Sequence, residues 1–132
     1  FLRPLGLRLA ARTASGKFEL YSNNRGDPSK SYAFSYPFST LQDGKWHMIG
    51  FTHIPSGDGF SCEKKLYVDG KFVANCEGVY DVPSSVKVQI GGDCDGHYTS
   101  FSEDMKLDNV RIYDRVLEAE EVDAIYRLER IQ

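Results

Sequence analysis

The sequence is notable first for what it does not contain. No apolar run reaches the roughly 18 residues a helix needs to cross a bilayer, so membrane insertion is not expected. No basic-then-apolar leader opens the chain, and no signal peptide is expected within its 132 residues. Lysine and arginine form no cluster or stripe, and the net charge is −3, which argues against nucleic-acid binding through phosphates. There is no C-x-x-C pair to begin a zinc site. There is no G-x-S-x-G elbow for a nucleophilic serine. No strand carries two carboxylates in an E-x-D-x-x-E pattern, the arrangement that would hold them at the separation glycoside hydrolysis needs. Glu103 and Asp104 are adjacent, and Asp108 is alone on its face. The chain is therefore not expected to be an enzyme.

What is present is bulk suited to strands. Hydrophobic residues make up 41% of the chain and aromatics 13%, enough for one packed domain spanning 1–132. The organising stretch is KKLYVDGKFVANC, Lys64 to Cys76. Its Asp69-Gly70 step is a strong hairpin signal, because both central positions of a type I′ turn need positive φ. Val68 is then expected to face Lys71, with Leu66, Tyr67, Phe72, Val73 and Ala74 filling the two arms.

Around the hairpin, period-two alternation predicts further strands. Leu5, Leu7, Leu9 and Ala11 mark the first, Lys17 to Tyr21 the second, and Tyr32, Phe34 and Tyr36 the third, which Pro37 ends. Lys45 to His53 reads as a central strand with Trp46 in the core. Val86, Val88 and Ile90 mark another. Lys106 to Tyr113 reads as the last, with Val110 and Ile112 on one face and Asp108 beside them. Val122, Ile125 and Tyr126 recur at helical spacing, with acids before them and Arg127 and Arg130 after, as a helix dipole favours. The fold class is all-β, an antiparallel two-sheet sandwich with a short C-terminal helix.

Four segments in order, DGKWHMIGFTH (Asp43 to His53), LYVDGKFVA (Leu66 to Ala74), VQIGGDCDG (Val88 to Gly96) and LDNVRIYDRVLEAEEVDAIY (Leu107 to Tyr126), resemble the laminin-G-like, concanavalin-A-type jelly roll, in the branch shared with pentraxins. The resemblance covers about the last 90 residues. It implies two sheets face to face with the helix against one edge. That family has further strands ahead of the position of Leu5, and the chain opens abruptly at Phe1, so a longer parent chain is expected. Met105 stands where the family commonly has glycine. Glu118 stands where it has a capping Ser or Thr, at a cost of about 1 kcal/mol.

Calcium is the cofactor the residues invite. Asp93, Asp95, Glu103 and Asp104 are hard oxygen donors on one polar loop. The resemblance places Asp93 and Asp95 at the carboxylate positions of the pentraxin calcium loop, with Glu103 and Asp104 roughly where later ligands come from. His97, on the same acidic loop, could itself ligate a metal, and His97 and Tyr98 are the expected ligand-binding residues. Three cysteines leave the pairing open. Cys62–Cys76 joins the hairpin arms but needs a bulge, because Cys62 lies one place from the residue facing Cys76. Cys76–Cys94 is the alternative, as are three thiols in a reducing compartment. His47 and His53 read as sheet residues with satisfied nitrogens. Arg25-Gly26-Asp27 reads as a turn or, if displayed, an adhesion tripeptide. Tyr32, Phe34, Tyr36 and Phe38 read as core or as a platform for sugars.

Together these features predict an extracellular or cell-surface binding module. It would recognise a glycan or an extracellular protein through loops at one end of the sandwich, with calcium assisting. The alternative is a structural module that packs against other segments of its parent chain or other subunits of an assembly. A degenerate glycosidase is a third.

Overall fold

The computed structural model describes residues 7–12, 16–22, 33–57, 61–79 and 106–130. They form two antiparallel three-stranded sheets and one helix. The first sheet has the order β1 (Leu7–Arg12), β2 (Lys17–Ser22), β3 (Ala33–Pro37). The second has the order β4 (Ile49–Pro55), β5 (Ser61–Val68), β6 (Lys71–Val79). The helix α1 runs Ala119–Arg130. The expected strand around Val86–Ile90 lies outside the described residues, as does the Arg25-Gly26-Asp27 loop.

The hairpin forms as its sequence dictates. Asp69 and Gly70 adopt φ of 49° and 78°, the left-handed pair of a type I′ turn, and Val68 faces Lys71. Across the arms Tyr67 and Phe72 meet edge to face, ring centroids 6.1 Å apart. One residue further on, the register slips: Tyr67 faces Phe72 but Leu66 faces Ala74, so Val73 is the extra residue of a bulge. The bulge turns Val73 and Ala74 together towards the core. There Phe34 of β3 and Leu66 of β5 are fully buried, with Tyr36, Phe38 and Leu41 closing around them. The two sheets therefore meet where β3 lies against β6. Phe34, Tyr36 and Phe38 thus serve as core or pack against it, while Tyr32 lies outside the described residues.

Three expectations are corrected. The segment before β4 is not strand, so the predicted central strand begins at Ile49, and among the described residues β4 pairs with β5 alone. β5 takes the central place. Trp46, expected in the core, is 67% exposed because it falls ahead of the strand, in a segment anchored through its neighbours His47 and Met48. Lys106 to Tyr113 is not a strand. Asn109 has a φ of 52°, which breaks the extended path, and no described strand lies alongside. Asp108 is exposed there and accepts the Asn109 N–H at 2.8 Å.

The bulge also decides the cysteines. It shifts the register away from, not towards, a Cys62–Cys76 bridge: Lys64 faces Cys76 and Cys62 faces Gly78. Diagonal partners in a sheet lie about 7–8 Å apart, beyond ordinary disulfide reach. Both residues are thiols, and burial pushes the Cys76 thiol up. Cys94 lies outside the described residues.

Candidate functional site

The loop that carries Asp93, Asp95, His97, Tyr98, Glu103 and Asp104 lies outside the described residues. Among the described residues, no three His, Cys, Asp or Glu side chains are grouped to hold a metal. The chemistry visible in the structure gathers instead at the β5–β6 turn.

Asp69, brought into place by the turn, reaches back over the segment before β4. Its Oδ2 contacts His47 Nδ1 at 2.8 Å and its Oδ1 accepts the Met48 N–H at 3.0 Å. The Asp69 N–H in turn donates to the Met48 carbonyl at 2.9 Å. The second imidazole nitrogen, Nε2, contacts Asp43 Oδ1 at 2.9 Å. A carboxylate on each nitrogen raises the His47 pKa, the Asp69 hydrogen bond being the largest cause and Asp43 the next. His47 and the Lys45 N–H hold the Asp43 carboxyl down at about 2. His47 is thus satisfied as expected, though ahead of the sheet and not within it. His53 does sit in β4, half-buried and facing Lys64; burial and that neighbouring ammonium lower its pKa. Lys64 itself is fully buried, which lowers its pKa.

On the other side of the same turn lies a groove of about 430 Å³, walled by β3, the hairpin and α1. Val68 and Val73, Tyr36 and Tyr126, and Asp69, Lys71 and Arg130 line it; Val68 is buried and Val73 half-buried, while Lys71 and Arg130 are exposed. The groove exists because α1 can approach the turn so closely. A Cβ at Gly70 would lie 2.9 Å from Tyr126 Cβ and 3.2 Å from Asp123 Cα. The helix start is set by Arg115, whose guanidinium grips both Glu121 oxygens at 2.7 and 2.6 Å. Glu121 also accepts the Glu118 N–H at 2.9 Å, half of a capping box made without a Ser or Thr cap. These bonds, Arg115 first, hold the Glu121 carboxyl at about 2.

No reading of the sequence pointed to this groove. Its residues come from three separate elements, and the one local signal was the glycine of the turn. Chemically the groove offers aromatic walls and two cations. The carboxylates of Asp43 and Asp69 are both committed to one imidazole.

A two-sheet antiparallel β domain with a helix clasped to its hairpin is the class these features define. A family model described as the concanavalin A-like lectin/glucanases superfamily matches residues 5–123, and the chain belongs to that family. No curated protein matches it. Among solved structures it is similar to an S-layer domain-containing protein from Clostridium thermocellum, at 20% identity and a TM-score of 0.42. That match covers 96% of this chain, which spans 65% of the crystallised protein.

Proposed function

We propose that this domain is a non-catalytic binding module, working outside the cell or at its surface, that recognises a glycan or a protein partner. The observation that carries the reading is the groove beside the β5–β6 turn, where tyrosines and cations line an open concavity while the neighbouring carboxylates are occupied by His47. Glycoside hydrolysis of the usual kind needs two carboxylates left available to the substrate. Family membership supports the same reading. Calcium, held by Asp93, Asp95, Glu103 and Asp104 next to His97 and Tyr98, is the proposed cofactor of a second contact surface at the loop end.

The test is binding by the intact chain to arrayed oligosaccharides and displayed peptides, with calcium and with chelator. Saturable capture without turnover of the ligand is the expected result, and release of cleaved sugar would overturn it. A ligand of the native state must raise the melting midpoint. A midpoint unmoved by calcium would remove the metal from the proposal.

One observation favours the assembly reading as well. Leu107, Val110, Ile112 and Tyr113 are each exposed within one short segment, apolar side chains of the kind that subunit contacts cover.

A further inference from the structure

We propose that the groove between the β5–β6 turn and α1 is a docking site for an extended acidic segment of a partner polypeptide. An apolar side chain of that segment lies between Tyr36 and Tyr126 over Val68 and Val73, and carboxylates on either side of it meet Lys71 and Arg130. The proposal rests on the binding-module reading and names the ligand class of one surface.

Charge is the first ground. Several cations of the described structure have carboxylate partners: Arg111 with Glu129 at 2.8 Å, Arg115 with Glu121 at 2.6 Å, Arg127 with Asp123 at 2.7 Å and Lys45 with Asp43 at 3.4 Å. The exposed Lys17 and Lys106 show none among the described residues, but neither lines the groove. Among the described residues Lys71 and Arg130 have none, and both stand on this groove. The one acid in the lining, Asp69, is spent on His47 and the Met48 N–H. On a chain whose net charge is −3, the groove is a local cationic surface.

Hydrogen-bonding capacity is the second ground, and it separates peptide from sugar. A saccharide brings a hydroxyl donor on nearly every carbon, and each needs an acceptor once water is displaced. The lining has no Asn or Gln, its carboxylate is engaged, and the Tyr36 hydroxyl already accepts from Thr40 at 3.3 Å. The side chains of an acidic segment, apolar groups and carboxylates, bring no donors into the groove, and its backbone N–H groups can stay in water on the open side. Such a segment also suits a lining of apolar side chains and exposed cations.

The experiment selects displayed random short peptides on the whole chain and on the Lys71→Glu, Arg130→Glu double variant. Both residues are exposed, and the carboxylate that replaces Arg130 in the last turn of α1 opposes the helix dipole only weakly. The variant should therefore stay folded, with a melting midpoint lower by a few degrees at most. Expected is enrichment of acidic peptides bearing Leu, Phe or Tyr on the unaltered chain and not on the variant. Calorimetry on a selected peptide should show about a tenfold loss for each single reversal, and again when its Glu and Asp become Gln and Asn. Peptides with no acidic bias, or equal affinity for the variant, overturn the proposal. An oligosaccharide array runs in parallel. Sugar capture abolished by the double variant assigns the groove to a glycan and overturns the proposal too. Sugar capture that the variant keeps, with no acidic peptide selected, sinks this inference alone and leaves the binding module standing at another surface. No capture of either class ends both.

Discussion

At the scale of single residues, His47 carries the most testable chemistry. An imidazole with a carboxylate on each nitrogen is stabilised as the cation, so its folded-state pKa lies above the usual 6.5. The folded state then binds more protons than the unfolded one between 6.5 and that raised value. Its contribution is full below pH 6.5 and is lost as pH rises through the folded pKa. Melting midpoints measured from pH 6 to 9 should fall, and His47→Gln should flatten the slope; a profile unchanged by the substitution would refute the link. Asp43 has the opposite sign. Its carboxyl is held at about 2 against 3.8, so its share is present above pH 3.8 and disappears as pH falls towards 2. Losing the two imidazole contacts should lower stability at neutral pH, by a small amount because solvent screens the partly exposed Asp43 and Asp69. Denaturant unfolding of His47→Gln measures it directly. In the core, Phe34 and Leu66 are both fully buried. Leu66→Ala should cost roughly 2–5 kcal/mol in the same assay, as a cavity opens between the sheets.

At the scale of elements, the join between hairpin and helix decides the architecture of the groove. Gly70 is required twice over: its φ of 78° suits glycine, and its missing Cβ is where Tyr126 sits. Gly70→Ala adds left-handed strain of about 1–2 kcal/mol and forces α1 outward. The expected result is a lower midpoint together with faster amide exchange across Ala119–Arg130, while β5 and β6 keep their protection. Uniform loss of protection everywhere would contradict a local docking role. This turn was also the most legible part of the sequence, because Asp69-Gly70 encodes its own geometry within two residues. The first three strands and the helix could be read from periodicity for the same local reason. The register of the cysteines could not, since it turns on a bulge at Val73 that no neighbouring residue announces. Trp46 and Lys106–Tyr113 were misread because alternation of side chains describes a pattern along the chain, whereas a strand requires a second strand beside it. The groove was beyond the sequence altogether. Tyr36, Lys71 and Tyr126 become neighbours only once α1 rests on the turn.

At the scale of the whole molecule, the described surface is uneven. Most apolar side chains at the centre of the second sheet are buried, yet Ile112 is 73% exposed, and Leu107, Val110, Tyr113 and Val116 are exposed with it. These residues lie on a segment that Arg111 ties to Glu129 of α1 by an ion pair of 2.8 Å. Exposed apolar surface favours association, because covering it releases roughly 25 cal/mol for each Å² removed from water. The intact chain should therefore associate as its concentration rises, in light scattering coupled to size exclusion. Val110→Lys with Ile112→Lys should return it to a monomer. Neither side chain is buried, so the double substitution should shift stability by no more than about 1 kcal/mol. A chain that stays monomeric across the whole concentration range would mean that this patch has no copy of itself as partner. The assembly reading would then need a different polypeptide to cover it, and the acidic-segment groove, lined by none of these residues, would be unaffected.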